Sequence, residues 1–420
     1  MTVHPDVPSD PGRSAADRPG SPDPARGAGV IDLLGYAYPW DLEPGGGASP
    51  LVDWFGLHRV AVAAAYHSVR AATPRHQRRR FVEAPHSAVY FGLRPEVWRG
   101  RRLVPSPAEW MAADAFSTAC RAVRAGGARP LAWVVLTHNS RLGAAHPDLT
   151  VRNAFGDRYR HALCPARPEV VEYAATLASE AVLAGPADGV VLEAAAALGV
   201  QHGAAHDKMG LAPSRTDQLS VCFCPACDTA YRTAGLEPDE LAGSIARAVR
   251  DDVDAALEEL WGTDAAAAVL DARQDAARRL IAAVVDAVRD VRPDAETVAH
   301  TSSRTADWSA SGLTPAAADA TDRTACWLRD GSTPGTAEET STARAWIVEH
   351  THAAWRDPAT ADRLVADVAA SGVRELQLYH LGLLRRDTVD TVTHAIRAAR
   401  RTGSVAPPPV VPTDDRAVPA

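Results

Sequence analysis

Three stretches decide the fold: Leu131-Ala-Trp-Val-Val-Leu136, Pro168-Glu-Val-Val-Glu-Tyr-Ala-Ala-Thr-Leu-Ala-Ser-Glu-Ala-Val-Leu183 and Gly189-Val-Val-Leu-Glu193. The outer two are short apolar runs bounded by polar turns, and the middle one opens on proline and carries the apolar period of a helix. Strand, helix and strand in that order form a right-handed βαβ unit with parallel strands. Similar apolar or alternating runs recur at 59–65, 87–92, 296–299, 323–328, 343–348 and 375–378, which makes eight candidate strands. Helical periods lie between them at 107–125, 238–261, 265–291, 359–371 and 387–401. Eight such units over about 340 residues favour an α/β fold of the closed (β/α)8 TIM-barrel type over an open doubly wound sheet. The sequence contains no GxGxxG or Walker run that would argue for the open form.

A chain of 420 residues that is 46% hydrophobic can bury a core of that size. The barrel is expected over 30–402, with a metal-binding loop insertion at about 194–236 and disordered Pro-, Asp-, Ser- and Ala-rich tails at 1–29 and 403–420. The net charge of −8 comes with no basic stripe interleaved with aromatics, so nucleic acid is not an expected partner and a small molecule is. Neither a membrane-spanning run nor a signal-peptide pattern is present, which points to a cytoplasmic protein. The composition is that of a GC-rich, actinobacterial-type genome, with Lys208 the single lysine and Asn139 and Asn153 the only asparagines.

In such a barrel, chemistry is carried by the residues that end the strands at the C-terminal face. These ends read Tyr66-His67, Thr137-His138-Asn139, Glu193, His300-Thr301-Ser302, Glu349-His350-Thr351-His352 and Tyr379-His380. Two carboxylates stand out, Glu193 after the fourth strand and Glu349 after the seventh, from strands that face each other across the mouth. Two glutamates aimed into one polar cleft can act on an acetal as acid/base and nucleophile, whereas the plainer alternative pairs each with an arginine. His67, His138, Asn139, His300, Tyr379 and His380 are the expected substrate-binding side chains. His206 and Lys208, in Gln201-His-Gly-Ala-Ala-His206-Asp-Lys208, join them.

Cys222-Phe-Cys224-Pro-Ala-Cys227 places three thiols within six residues after the fourth strand. A turn of this kind presents thiolates to one tetrahedral Zn²⁺, and Cys164, on the neighbouring loop after the third strand, is the expected fourth ligand. A reduced thiol cluster or a disulfide is the alternative. Cys120 and Cys326 sit in helix and strand runs and read as buried apolar cysteines.

The run Arg160-His-Ala-Leu-Cys164-Pro-Ala-Arg-Pro-Glu-Val-Val-Glu-Tyr173, the strand ending in Glu193, and Cys222-x-Cys224-x-x-Cys227 together resemble the family 42 β-galactosidases. The likeness covers roughly 153–231, and beyond it only the strand order. It implies a retaining glycosidase barrel of clan A, with Glu193 as acid/base, Glu349 as nucleophile, a structural zinc on Cys164, Cys222, Cys224 and Cys227, and a carbohydrate substrate. That family has asparagine before its acid/base glutamate, to hold the sugar 2-hydroxyl, and this chain has Leu192. Two further readings compete. One is a metal-dependent hydrolase using His67, His138, His206 and Asp207, and the other a catalytically silent sugar-binding barrel.

Overall fold

The structure is a computed structural model that describes residues 29–201, 210–302, 308, 313–332, 334 and 345–409. Its centre is a closed barrel of eight parallel strands: β1 (Asp32–Ala37), β2 (Arg59–Tyr66), β3 (Arg129–Val135), β4 (Gly189–Glu193), β5 (Glu296–Thr301), β6 (Arg323–Trp327), β7 (Ala345–Glu349) and β8 (Glu375–Tyr379). Closure is made by β1, which pairs with β8 on one side and β2 on the other. Around the barrel run α1 (Ser49–Phe55), α2 (Ala115–Ala125), α3 (Pro168–Ala184), α4 (Thr263–Val291), α5 (Pro358–Ala370) and α6 (Arg386–Arg401).

The expected eight strands correspond to this barrel in seven positions. The run at 87–92 is not a barrel strand: only Ala88–Val89 pairs there, antiparallel to the end of β2. The first strand is instead Asp32–Ala37, broken in its pattern by Gly35. A β-carbon at Gly35 would lie 2.7 Å from Leu381 and 2.9 Å from Leu57, so the glycine is there for close packing. Two helices also differ from expectation. The one expected from residue 107 begins at Ala115, and the period over 238–261 is split into Pro238–Arg250 and Leu257–Trp261. At the other terminus the chain packs on past α6, where Val405 bridges to Ile31 beside β1 and is buried.

Register sorts the inward side chains into layers. Pairs in a parallel ladder share a face, so Asp32 and Glu375, and Arg59 and Arg129, lie on the floor of the barrel. There Arg59 meets Asp32 at 3.2 Å, Glu296 at 3.0 Å and Glu375 at 2.8 Å. Arg323 adds contacts of 2.9 Å to Glu296 and 3.2 Å to Glu375, and Arg129 reaches Glu296 at 3.3 Å. Burial alone would raise the Glu296 carboxyl, but Arg59, Arg323 and Arg129 outweigh it and hold it below the ordinary carboxylate range. Above this ring of three cations and three carboxylates sits a layer that includes Leu34, Ala61, Ala325, Ile347 and Gln377. Above that again, at the mouth, come Tyr36, Trp133, Glu193, His300, Trp327, Glu349 and Tyr379.

Because a buried charge stripped of its partner is costly, Arg59→Met should destabilise the fold by about 3–5 kcal/mol in urea denaturation. A loss below about 1 kcal/mol would mean that the floor does not depend on this ion-pair ring.

Candidate functional site

Strand β4 delivers Glu193 to the mouth and the chain turns immediately afterwards. Ala194 takes φ 54°, a left-handed conformation that costs a residue with a β-carbon about 1 kcal/mol or more. Thr137 pins that turn, its hydroxyl donating to the Ala194 carbonyl at 2.6 Å and lying 3.1 Å from that of Ala196. Arg273 of α4 holds the same connection from behind through the Ala197 carbonyl at 2.5 Å, and donates as well to the Trp308 carbonyl, beyond β5, at 2.8 Å.

The Glu193 carboxylate accepts a hydrogen bond from the Trp133 indole at 2.8 Å and its side chain is 17% exposed. Aromatic rings surround Trp133: Tyr36 at 5.0 Å, Tyr66 at 4.5 Å and Tyr379 at 5.5 Å. Burial among them pushes the Glu193 carboxyl up to about 7, with the Trp133 hydrogen bond restraining the rise. His300 presents Nδ1 to this carboxyl at 3.7 Å, while its Nε2 lies 2.7 Å from the Tyr36 hydroxyl. Tyr36 donates in turn to Gln377 Oε1 at 2.5 Å, and Gln377 donates to Glu375 on the floor at 2.6 Å. Burial pushes the His300 imidazole down to about 3, so it is neutral at physiological pH.

Glu349 stands in a different environment. Its register opposite Tyr379 places it in the mouth layer, but its side chain is exposed, with the Thr351 hydroxyl donating to its carboxylate at 3.2 Å. Trp355 fixes its backbone through the Glu349 carbonyl at 2.9 Å. The arginine pairing considered as an alternative is not found for either glutamate among the described residues, whereas it is found for Glu296 and Glu375 below.

The remaining expected site residues divide into two groups. Tyr379 lies in the mouth, its hydroxyl 2.8 Å from that of Tyr66 and its ring against Trp327 at 4.8 Å. His67 and His138 stack face to face at 4.4 Å on the rim. Asn139, by contrast, serves the fold: its side chain caps the helix Ser140–Ala145 by accepting from Leu142 N–H at 3.0 Å and also meets Tyr173. His380 is 1% exposed, stacked on Tyr38 at 4.2 Å with Nδ1 taken by Gly382 N–H, so it backs the mouth instead of lining it. His206, Asp207 and Lys208 lie outside the described residues. Missing from the expected set were Tyr36, Tyr38, Trp133 and Trp327. The first two follow from the unrecognised β1, whose sequence Gly35-Tyr-Ala-Tyr38 ends in aromatics as the other strands end in polar groups.

The four cysteines converge as expected. Cys164, Cys222, Cys224 and Cys227 offer sulfurs within 4.8 Å of one another, and Cys164 lies 3.9, 3.6 and 3.7 Å from the other three. These separations are far beyond a disulfide bond of about 2.05 Å. Among the described residues this is the only group of three or more His, Cys, Asp or Glu side chains able to share an ion. The cluster ties the loop after β3 to the connection after β4. That connection carries helices Pro213–Ser220, Pro225–Thr233, Pro238–Arg250 and Leu257–Trp261 around a small core of Phe223, Tyr231, Leu241, Ile245 and Trp308. No helix among the described residues is long and apolar enough to cross a membrane.

No protein-family model and no curated protein matches this sequence. Solved structures share its fold. The catalytic domain of a β-amylase from Paenibacillus polymyxa superposes with TM-score 0.54 at 11% identity, over 90% of this chain and 99% of that one. An α-L-fucosidase isoenzyme 2 from Paenibacillus thiaminolyticus gives 0.52 at 12% identity over 88% of this chain, which spans about half (49%) of the fucosidase. A β-galactosidase from the psychrophilic Marinomonas ef1 gives 0.51 at 11% identity, over 89% of this chain and 60% of that one. These likenesses show a shared (β/α)8-barrel fold.

Proposed function

We propose that this protein is a glycoside hydrolase in which Glu193 is the general acid/base and Glu349 the second carboxylate. The observation that carries the reading is the contrast between the two inward glutamates of the mouth layer. One is buried on an indole and shifted up to about 7, and the other stands in water beside a threonine hydroxyl. A carboxyl held protonated near neutrality beside a second, exposed carboxyl suits acetal hydrolysis at neutral pH. Glu193 gives its proton to the glycosidic oxygen as the bond to the anomeric carbon breaks. Glu349 attacks that carbon, and Glu193, now a carboxylate, takes a proton from the water that releases the sugar. Of the rings beside Glu193, Tyr379 and Trp327 are the partly exposed ones and offer apolar faces to the C–H side of a pyranose. The Glu193 carboxyl, 17% exposed, and the Tyr379 hydroxyl offer polar atoms to its hydroxyls.

Leu192 is fully buried and supplies no polar group, so β-galactosidase specificity is not carried over to this chain. A catalytically silent barrel would have no need of a buried, unpaired acid, whose raised pKa costs stability above its titration. The stacked His67 and His138 rings present faces to each other instead of converging on an ion, which ranks the metal-dependent hydrolase lower.

On a panel of aryl glycosides, Glu193→Gln should slow substrates with poor leaving groups by about 10²-fold or more and activated ones far less, since only the former need protonation. Wild-type kcat/KM should fall as the pH rises through about 7, because the protonated acid is the reactive form. Equal losses on both substrate types would remove Glu193 from the acid role.

We further propose that the four cysteines hold one structural zinc. Sulfurs bound tetrahedrally at about 2.3 Å stand about 3.8 Å apart, close to the 3.6–3.9 Å measured from Cys164. A four-thiolate site leaves no open position, so the metal's role is to brace the loops flanking Glu193. Elemental analysis should give one zinc per chain, lost in a Cys222→Ser/Cys224→Ser variant together with a fall in melting temperature. Zinc retained undiminished in that variant would overturn the assignment.

A further inference from the structure

Beside the mouth, the loops after β2, β7 and β8 enclose an open cleft of about 780 Å³. It begins at His350 and Thr351, the residues that follow Glu349, and Thr351 is the side chain that donates to the Glu349 carboxylate. Through Thr351 the cleft thus adjoins Glu349, and it is large enough for one or more sugar residues. Its charge is the opposite of the protein's. The chain as a whole carries −8, yet the cleft is lined by Arg70, Arg356 and Arg385 against a single carboxylate, Asp387. Arg385 grips Asp387 through both of its oxygens, which neutralises that acid. Arg70 lies over the Phe81 ring at 5.6 Å, and neither it nor Arg356 makes an ion pair among the described residues. Both side chains are exposed and come from different loops, Arg70 from the hairpin Val69–Ala72 and Phe81–Ala84, Arg356 from the turn Ala353–Arg356. Two uncommitted guanidiniums lining one cleft on an acidic protein form a site for oxyanions.

We propose that this cleft receives an anionic sugar residue, bearing a carboxylate or a sulfate, next to the bond that is cut. The proposal rests on the glycosidase reading and names its substrate class. Arg70 and Arg356 recognise the acid group.

The test is calorimetric binding to full-length Glu193→Gln, in which cleavage of such oligosaccharides is slowed. The probes are tetragalacturonate, its fully methyl-esterified and therefore neutral counterpart, and a sulfated carrageenan tetrasaccharide. At least one anionic probe should bind tenfold or more tightly than the neutral one, with an affinity that falls as salt rises. The carboxylate and sulfate arms tell the two anions apart. Adding Arg70→Gln and Arg356→Gln should abolish the tenfold preference while the melting temperature stays unchanged. No preference for either anion, or a preference that survives both arginine substitutions, overturns the proposal. An arginine-dependent preference in a protein inactive on all glycosides would keep the cleft and remove the hydrolase. Turnover of aryl glycosides that depends on Glu193, with no anionic preference, would do the reverse.

Discussion

The mouth of this barrel is organised from its floor, by the grip of Arg59 and Arg323 on one oxygen of Glu375 at 2.8 and 3.2 Å. The other oxygen can only accept, so Gln377 must turn its amide NH2 toward it at 2.6 Å and its carbonyl upward. That carbonyl takes the single proton of the Tyr36 hydroxyl, which is then left to accept from His300 Nε2–H. His300 is therefore held neutral with a bare Nδ1 facing Glu193, and an acceptor beside a carboxyl favours its protonated form. An ion-pair ring that closes the sheet thus reaches, through four side chains, to the proton of the acid at the mouth. The link depends on barrel closure, because Tyr36 and Gln377 are neighbours only where β1 pairs with β8.

Rigidity at the rim comes from a different source. The turn after Glu193 is strained at Ala194 and opens the long connection to α4. Thr137 holds it from β3, Arg273 holds it from α4, and the cysteine cluster ties its far end to the loop after β3. Three separate fastenings thus act along the connection that follows Glu193. The cleft beyond Glu349 is built more loosely, from exposed arginines on loops of three strands, as suits recognition more than chemistry.

Much of this was legible from sequence because chemistry at a barrel mouth is concentrated at strand ends. Glu193, Glu349, His300 and Tyr379 each terminate an apolar run, and the spacing of Cys222, Cys224 and Cys227 needs no fold to be noticed. The interior was not legible. Strands buried on both faces read as continuous apolar runs without alternation, so nothing marked Trp133 or Gln377 as inward-pointing. Gly35 disguised β1, and 87–92 stood in for it in the count, although its apolar residues make only an edge pairing with β2. Asn139 illustrates a further ambiguity. An asparagine at the end of a barrel strand also stands at the start of the next helix, and capping Leu142 took precedence over lining the pocket.

The proton on Glu193 is the point on which the account turns, and isotope-edited infrared titration observes it directly. The carboxyl C=O band present in the wild type and absent from Glu193→Gln should persist through neutral solution and vanish with a midpoint near pH 7, where burial places this acid. A midpoint in the ordinary glutamate range near 4.3 would contradict it, since an acid already ionised at physiological pH could not protonate a leaving group there.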